Sequence, residues 1–162
     1  MKRVSFLRHA KSSWDDNSID DYDRDLNARG LKDAPMMAER LKAKGYLPDL
    51  IFASSAKRAL RTAELMREKL DFEGDFQKTQ ELYLAPAGHI ISLIQALDDT
   101  YSNVLIVAHN PGIGNVSSYL SGRNLGNFPT AAIAQIEFKI DHWQSINAEN
   151  GRLLFYDYPK NS

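Results

Sequence analysis

Apolar residues in this chain occur in two patterns: short, dense runs, and longer stretches broken at helical spacing. Residues 4–7, 50–53 and 104–108 are short apolar runs stopped by polar or turn-forming residues, the pattern of buried strands. The last, Val104-Leu105-Ile106-Val107-Ala108, has no polar position, as in a central parallel strand covered on both faces. Leu31, Ala34, Ala38 and Leu41 recur at helical spacing, with Asn27 placed to cap the start and Gly45 the end. Pro35 inside that stretch predicts a kink or a late start. A second helix is predicted to run to about Leu70, with Ser54-Ser55 as its cap and Ala56, Ala59, Ala63, Met66 and Leu70 as its buried stripe. Residues 77–82 read as a weaker third strand, 87–97 as a helix opened by Pro86, and 113–120 as another helix. Residues 132–139 and 152–156 read as two late strands flanking Trp143, with His142 in a turn. Residues 15–25 read as an acidic, solvated loop with Arg24 paired locally. Asp21-x-Asp23-x-Asp25 begins like a calcium loop, but Leu26 stands where the turn glycine belongs and Lys32 where the bidentate glutamate belongs.

Strands alternating with helices predict a three-layer α/β/α sandwich with a mostly parallel central sheet. With 162 residues, 43% of them hydrophobic, the chain is expected to form a single domain over residues 1–162. A formal net charge of -1 argues against a general nucleic-acid or membrane-surface binder, so any anion site must be local. The absence of cysteine removes disulfides, thiolate nucleophiles and cysteine metal sites, and favours an intracellular home. Met1-Lys2-Arg3 mimics a signal-peptide start, but the apolar run after it stops at Arg8, too short for a signal core or a span. The expectation is a cytoplasmic protein.

In open α/β sheets ligands bind outside the carboxyl ends of the strands. Arg8 and His9, Arg58, and His109 come from three separate strand-to-helix junctions at that edge. Arginine carries a planar fork of donors for phosphate, and a neutral imidazole has a nucleophilic lone pair. Two arginines and two histidines around a helix N-terminus describe a pocket for a phosphate dianion, in which His9 attacks phosphorus and the others hold the oxygens. Zinc on His9 and His109 is the competing chemistry, and the flanking arginines oppose it. No metal and no cofactor is expected. Gly112-Ile113-Gly114-Asn115-Val116-Ser117 is a partial dinucleotide fingerprint, which keeps a catalytically silent phosphate- or nucleotide-binding module as an alternative.

Arg8-His9-Ala10-Lys11-Ser12-Ser13-Trp14 resembles the Arg-His-Gly signature of the histidine phosphatase (phosphoglycerate mutase-like) superfamily. Asp23-Arg24-Asp25-Leu26 with Gly30, the block from Ser54 to Glu64, and Val107-Ala108-His109-Asn110-Pro111-Gly112 match further blocks in order. Thr130-Ala131-Ala132 and Trp143 extend the match, which is nearest to the SixA-type phosphohistidine phosphatase branch. The resemblance implies a phosphoglycerate mutase-like fold and His9 as the phosphorylated nucleophile. Arg8, Arg58 and His109 then complete the phosphate pocket, with Ser12 and Asn110 as further substrate contacts. The implied partner is a phosphorylated protein bearing phosphohistidine; the alternative is a small phosphorylated molecule hydrolysed as a phosphomonoester. Ala10 replaces the signature glycine, Asp15 stands where related mutases often carry a phosphate-binding asparagine, and Leu84 stands where many members carry a catalytic glutamate. Lacking that acid, the site suits a leaving group that departs as a neutral amine. Glu81 is the remaining acid nearby, expected to be an exposed strand residue.

Overall fold

A computed structural model describes residues 1–161. Six strands and four helices alternate: β1 (Lys2–Arg8), α1 (Ala28–Ala43), β2 (Leu50–Ser54), α2 (Lys57–Lys69), β3 (Asp75–Thr79), α3 (Ala87–Gln95), β4 (Asn103–Ala108), α4 (Gly112–Ser121), β5 (Ile133–Phe138) and β6 (Gly151–Asp157). They form one sheet in the order β3-β2-β4-β1-β5-β6. The β3-β2-β4-β1 pairings are parallel, and β5 runs antiparallel to both β1 and β6. The sheet is therefore mostly parallel, with one reversed strand.

Strand alternation sorts the core into two layers. Val4, Phe6, Val104, Ile106 and Ala134 face α3 and α4, where Ile90, Ile94, Ile113, Val116 and Leu120 are fully buried. Leu7, Leu105, Val107 and Ile133 face α1 and α2, packing on Ala34, Met37, Ala38, Leu41, Ala59, Ala63 and Met66. This is the three-layer α/β/α arrangement that the alternating pattern predicts. No helix among the described residues is long and apolar enough to cross a membrane.

Three local expectations change. Pro35 neither delays nor ends α1, which starts at Ala28 with the Asn27 side chain accepting from the Gly30 N–H at 2.9 Å. The buried face of α1 excludes Leu31, which is 42% exposed, and uses Met37 instead. The third strand stops at Thr79, because the Thr79 hydroxyl accepts from the Glu81 N–H at 3.1 Å and starts a 3₁₀ turn over Gln80–Leu82. That turn leads directly into the rim of the site.

Candidate active site

The carboxyl ends of β1, β2 and β4 lie side by side, so the residues just past each strand converge. His9 follows β1 and is held from both sides. Its N–H donates to the Ala108 carbonyl at 3.0 Å, and its carbonyl accepts from the Ala131 N–H at 3.1 Å. The next N–H, of Ala10, donates to the Thr62 hydroxyl at 3.0 Å. Ala10 has none of the positive φ that would have made the missing signature glycine costly. On the other side of the segment, a Cβ at Gly30 would stand 2.1 Å from the Lys11 carbonyl oxygen, so only glycine lets α1 close on it.

The His9 ring is buried, and its Nδ1 lies 2.7 Å from the Ala10 carbonyl. A carbonyl only accepts, so the proton sits on Nδ1 and the lone pair is left on Nε2. His109, just past β4, has its ring centroid 5.2 Å from that of His9. Its Nε2 is 2.8 Å from the Ser54 Oγ. That oxygen also accepts from the Ala56 N–H at 3.2 Å, and by donating its own proton to Nε2 it would hold His109 in the tautomer protonated on Nδ1. Ser54 and Ser55 were expected to cap α2. Instead Ser54 fixes His109, Ser55 pairs with the Tyr22 hydroxyl, and α2 has no side-chain cap.

Arg58, in the first turn of α2, is 3% exposed. Its end-on fork is taken by one residue: Nη1 donates to the Asp21 carbonyl at 2.6 Å and Nη2 to Asp21 Oδ2 at 3.0 Å. Arg8 donates from Nη1 to the Phe128 carbonyl at 3.2 Å. Three donors remain buried without a partner: Arg8 Nε, Arg58 Nε and His109 Nδ1. Buried polar groups are normally paired, and a site that leaves two guanidinium edges and an imidazole N–H open is built for an anion with several acceptor oxygens. The same positive field opposes a cation at the two histidines.

Burial, followed by the charges of the neighbouring basic groups, drives both rings far from the usual histidine range. His9 falls to about 3 despite its hydrogen bond to Ala10, and His109 falls to about 3, with Arg58 the largest charge acting on it. Both rings are neutral at pH 7, as a nucleophile and a neutral donor require. Unfolded, each ring takes up a proton below about 6.5; folded, it does so only near 3. The unfolded state binds more protons across that interval, so this contribution to stability is complete above 6.5 and lost as pH falls toward 3. Thermal unfolding followed from pH 7 to 5 should show a loss of roughly 2 kcal/mol per ring. His109→Asn, which does not titrate, should make the decline shallower.

The two expected substrate contacts, Asn110 and Ser12, each have partners within the protein. The Asn110 carboxamide donates to the Asn127 and Phe128 carbonyls and accepts from the Gly114 N–H, fastening the loop after β4 to the start of α4. The Ser12 hydroxyl accepts from Arg24 at 2.7 Å. The Asn110 amide has no donor left for an anion, whereas the Ser12 hydroxyl keeps its own proton to donate. The loop over residues 15–25 departs from a merely solvated one: Arg24 pairs with Asp21 at 3.1 Å, as expected, but is 8% exposed and stacks 3.5 Å from the exposed Trp14 ring. Asp15 and Glu81 are both exposed. Glu81 sits on the 3₁₀ turn, not a strand, and Leu84 beyond it is 52% exposed with φ of 52°. The glycines of the partial dinucleotide fingerprint serve packing: a Cβ at Gly112 would stand 1.8 Å from the Ala85 carbonyl oxygen.

Asp21 and Tyr83 belong to the site and were not singled out from the sequence. Tyr83 donates its hydroxyl to Asp21 Oδ2, and its ring stands edge-on to His109 at 5.5 Å. Asp21 is 37 residues from Arg58 and 62 from Tyr83 along the chain, and no spacing rule links such partners.

A family model described as histidine phosphatase superfamily (branch 1) matches residues 4–83. An uncharacterised chloroplastic protein of Arabidopsis thaliana is 31% identical over 159 residues, 93% of this chain and 72% of its own length. An uncharacterised protein of Mycobacterium leprae is 30% identical over 166 residues, 95% of this chain and all of its own. Among solved structures, a SixA from Agrobacterium tumefaciens, named as a candidate phosphohistidine phosphatase, superposes with a TM-score of 0.84 at 29% identity over 98% of both chains. The protein histidine phosphatase SixA complexed with tungstate gives 0.82 at 24% identity over 98% of both chains. A mycobacterial glucosyl-3-phosphoglycerate phosphatase complexed with VO3 gives 0.71 at 19% identity over 98% of this chain and 100% of its own. The last two speak to the fold.

Proposed function

This chain belongs to the histidine phosphatase superfamily and is of the SixA type, and on that premise we propose that it hydrolyses phosphohistidine on a protein through a covalent phospho-His9 intermediate. One observation carries the reading. The unprotonated Nε2 of His9 shares its pocket with three buried, unpaired N–H donors, from Arg8, Arg58 and His109. A phosphoryl group seated on those donors is held for in-line attack. Phosphoryl transfer asks mainly for positioning and charge stabilisation, which this set supplies. His9 Nε2 bonds to phosphorus as the bond to the leaving nitrogen breaks, and water then hydrolyses phospho-His9 to release inorganic phosphate. His109 Nδ1 donates to a phosphoryl oxygen while Ser54 holds the ring in the tautomer that keeps that proton. The phosphoramidate preference rests on the rim, where Leu84 offers no proton to an alkoxide.

Rapid-quench mass spectrometry with a phosphohistidine peptide tests this reading. The expected product of the first turnover is acid-labile phosphate on His9. A protein that turns over phosphohistidine without labelling His9, or that leaves it untouched while hydrolysing small phosphomonoesters, would overturn it.

Arg58 and Arg61 separate a specific contact from a basic surface. Arg58 is buried with its Nε unpaired, whereas Arg61, three residues on, is exposed. Arg58→Lys should be poorly active, because an ammonium cannot reproduce the fork that meets Asp21 on one edge and phosphate on the other. Arg61→Ala should keep nearly normal kcat/KM. Similar losses at both positions would mean that the basic face acts collectively.

A further inference from the structure

The anion pocket contains a carboxylate, which needs a reason. Asp21 is joined to Arg58 through Nη2 at 3.0 Å, to Arg24 at 3.1 Å through its other oxygen, and to the Tyr83 hydroxyl. It carries a full negative charge at neutral pH. Burial alone would raise its pKa, but the hydrogen bonds from Tyr83 and Arg58 outweigh that and bring it to about 2. A fixed anion beside a phosphate dianion opposes phosphate binding. The Asp21 side chain is also 43% exposed, whereas that of Arg58 beneath it is 4% exposed. Asp21 therefore sits at the mouth of the pocket and not on its floor with His9. In-line displacement sends the leaving group away from His9, toward the mouth.

From these placements we infer that Asp21, held by Tyr83 and Arg24, forms a leaving-group subsite that accepts the N–H of a protonated imidazole. The inference rests on the phosphohistidine reading and names the protonation state in which that substrate is taken. In the step concerned, the substrate ring carries phosphorus on one nitrogen and a proton on the other. The protonated nitrogen donates to Asp21. As His9 Nε2 bonds to phosphorus, the pair of the breaking P–N bond returns to the substrate ring, which leaves as neutral imidazole with its proton retained. The carboxylate raises the fraction of substrate that carries that proton; a ring without it would leave as an imidazolide anion, a far poorer leaving group. Asp21 thus does for a phosphoramidate what an acid at the position of Leu84 would do for an ester, by keeping a proton already on the substrate. Aryl phosphates gain nothing from it, because their phenolate is itself negative.

The test is Asp21→Asn in the full chain. It compares kcat/KM for a phosphohistidine peptide and for p-nitrophenyl phosphate with the inhibition constant of inorganic phosphate. A hydrogen bond to a charged group accounts for about 10–100-fold, so the phosphohistidine value should fall by that much. The aryl phosphate value carries only the loosened Arg58 anchor, so it should fall at least about tenfold less than the phosphohistidine value. Parallel losses on both substrates with weakened phosphate inhibition would show that Asp21 only positions Arg58, and would overturn the inference. No loss on phosphohistidine would overturn it too. A wild-type protein inert toward phosphohistidine would instead remove the underlying functional reading.

Discussion

His9→Ala should abolish turnover and leave no acid-labile phosphate on the protein, whereas His109→Ala should retain labelling and slow turnover by about 10²–10³. The difference follows from what each ring has free. His9 has its proton committed to the Ala10 carbonyl and an open lone pair; His109 has its Nε2 committed to Ser54 and an open N–H. One is arranged to give electrons and the other to donate a hydrogen bond. The rings are only 5.2 Å apart and both are buried, so a loss of fold in either variant has to be separated from a loss of chemistry. Phosphate-dependent thermal stabilisation serves that purpose, because Arg8 and Arg58 remain in both. Labelling lost in His109→Ala but kept in His9→Ala would require the roles to be exchanged.

A matched pair of peptides carrying phosphohistidine and phosphoserine should differ in kcat/KM by at least about 10²–10⁴, the range over which a general acid assists an oxygen leaving group. The rim of the site is the reason. Leu84 is exposed in a left-handed conformation, Glu81 is exposed on the preceding 3₁₀ turn, and the one carboxylate in the pocket, Asp21, is ionised and cannot donate. Leu84→Glu should raise activity on the phosphoserine peptide if its carboxyl comes within hydrogen-bond reach of the leaving oxygen. Equal kcat/KM values for the two peptides in the wild type would end the argument from a missing acid.

The parts of this picture that were legible in the sequence are those that repeat or punctuate. The unbroken run from Val104 to Ala108 marks a central strand because it is covered on both faces, and Arg8-His9, Arg58 and His109 stand out because each interrupts the chain just past such a run. Side-chain partners chosen in three dimensions were not legible. Asn110 and Ser12 lie inside motif blocks, yet their polar atoms hold the Phe128 carbonyl and Arg24. Ser54 looks like a helix cap and instead sets the tautomer of His109. Asp21 sits in an acidic stretch whose composition suggests only solvation, and its two strongest partners are remote in sequence. Hydrogen bonds of this kind depend on where loops cross, and hydrophobic periodicity carries no record of that.

The placement of β1 between β4 and β5 bears on how the chain is made. His9 leaves the ribosome well before the partners of its strand, which pairs on one side with residues as late as Ala108 and on the other with Ile133 to Phe138. At typical rates of synthesis those partners follow roughly ten seconds later. During that interval Val4, Phe6 and Leu7 have no sheet to enter, and their apolar surface is open to a chaperone or to another nascent chain. Pairing across so long a separation also closes a large loop, which slows folding. His9 is translated before the strands that house it, so a fragment ending before Ile133 carries His9 without one of the two strands that wall it in.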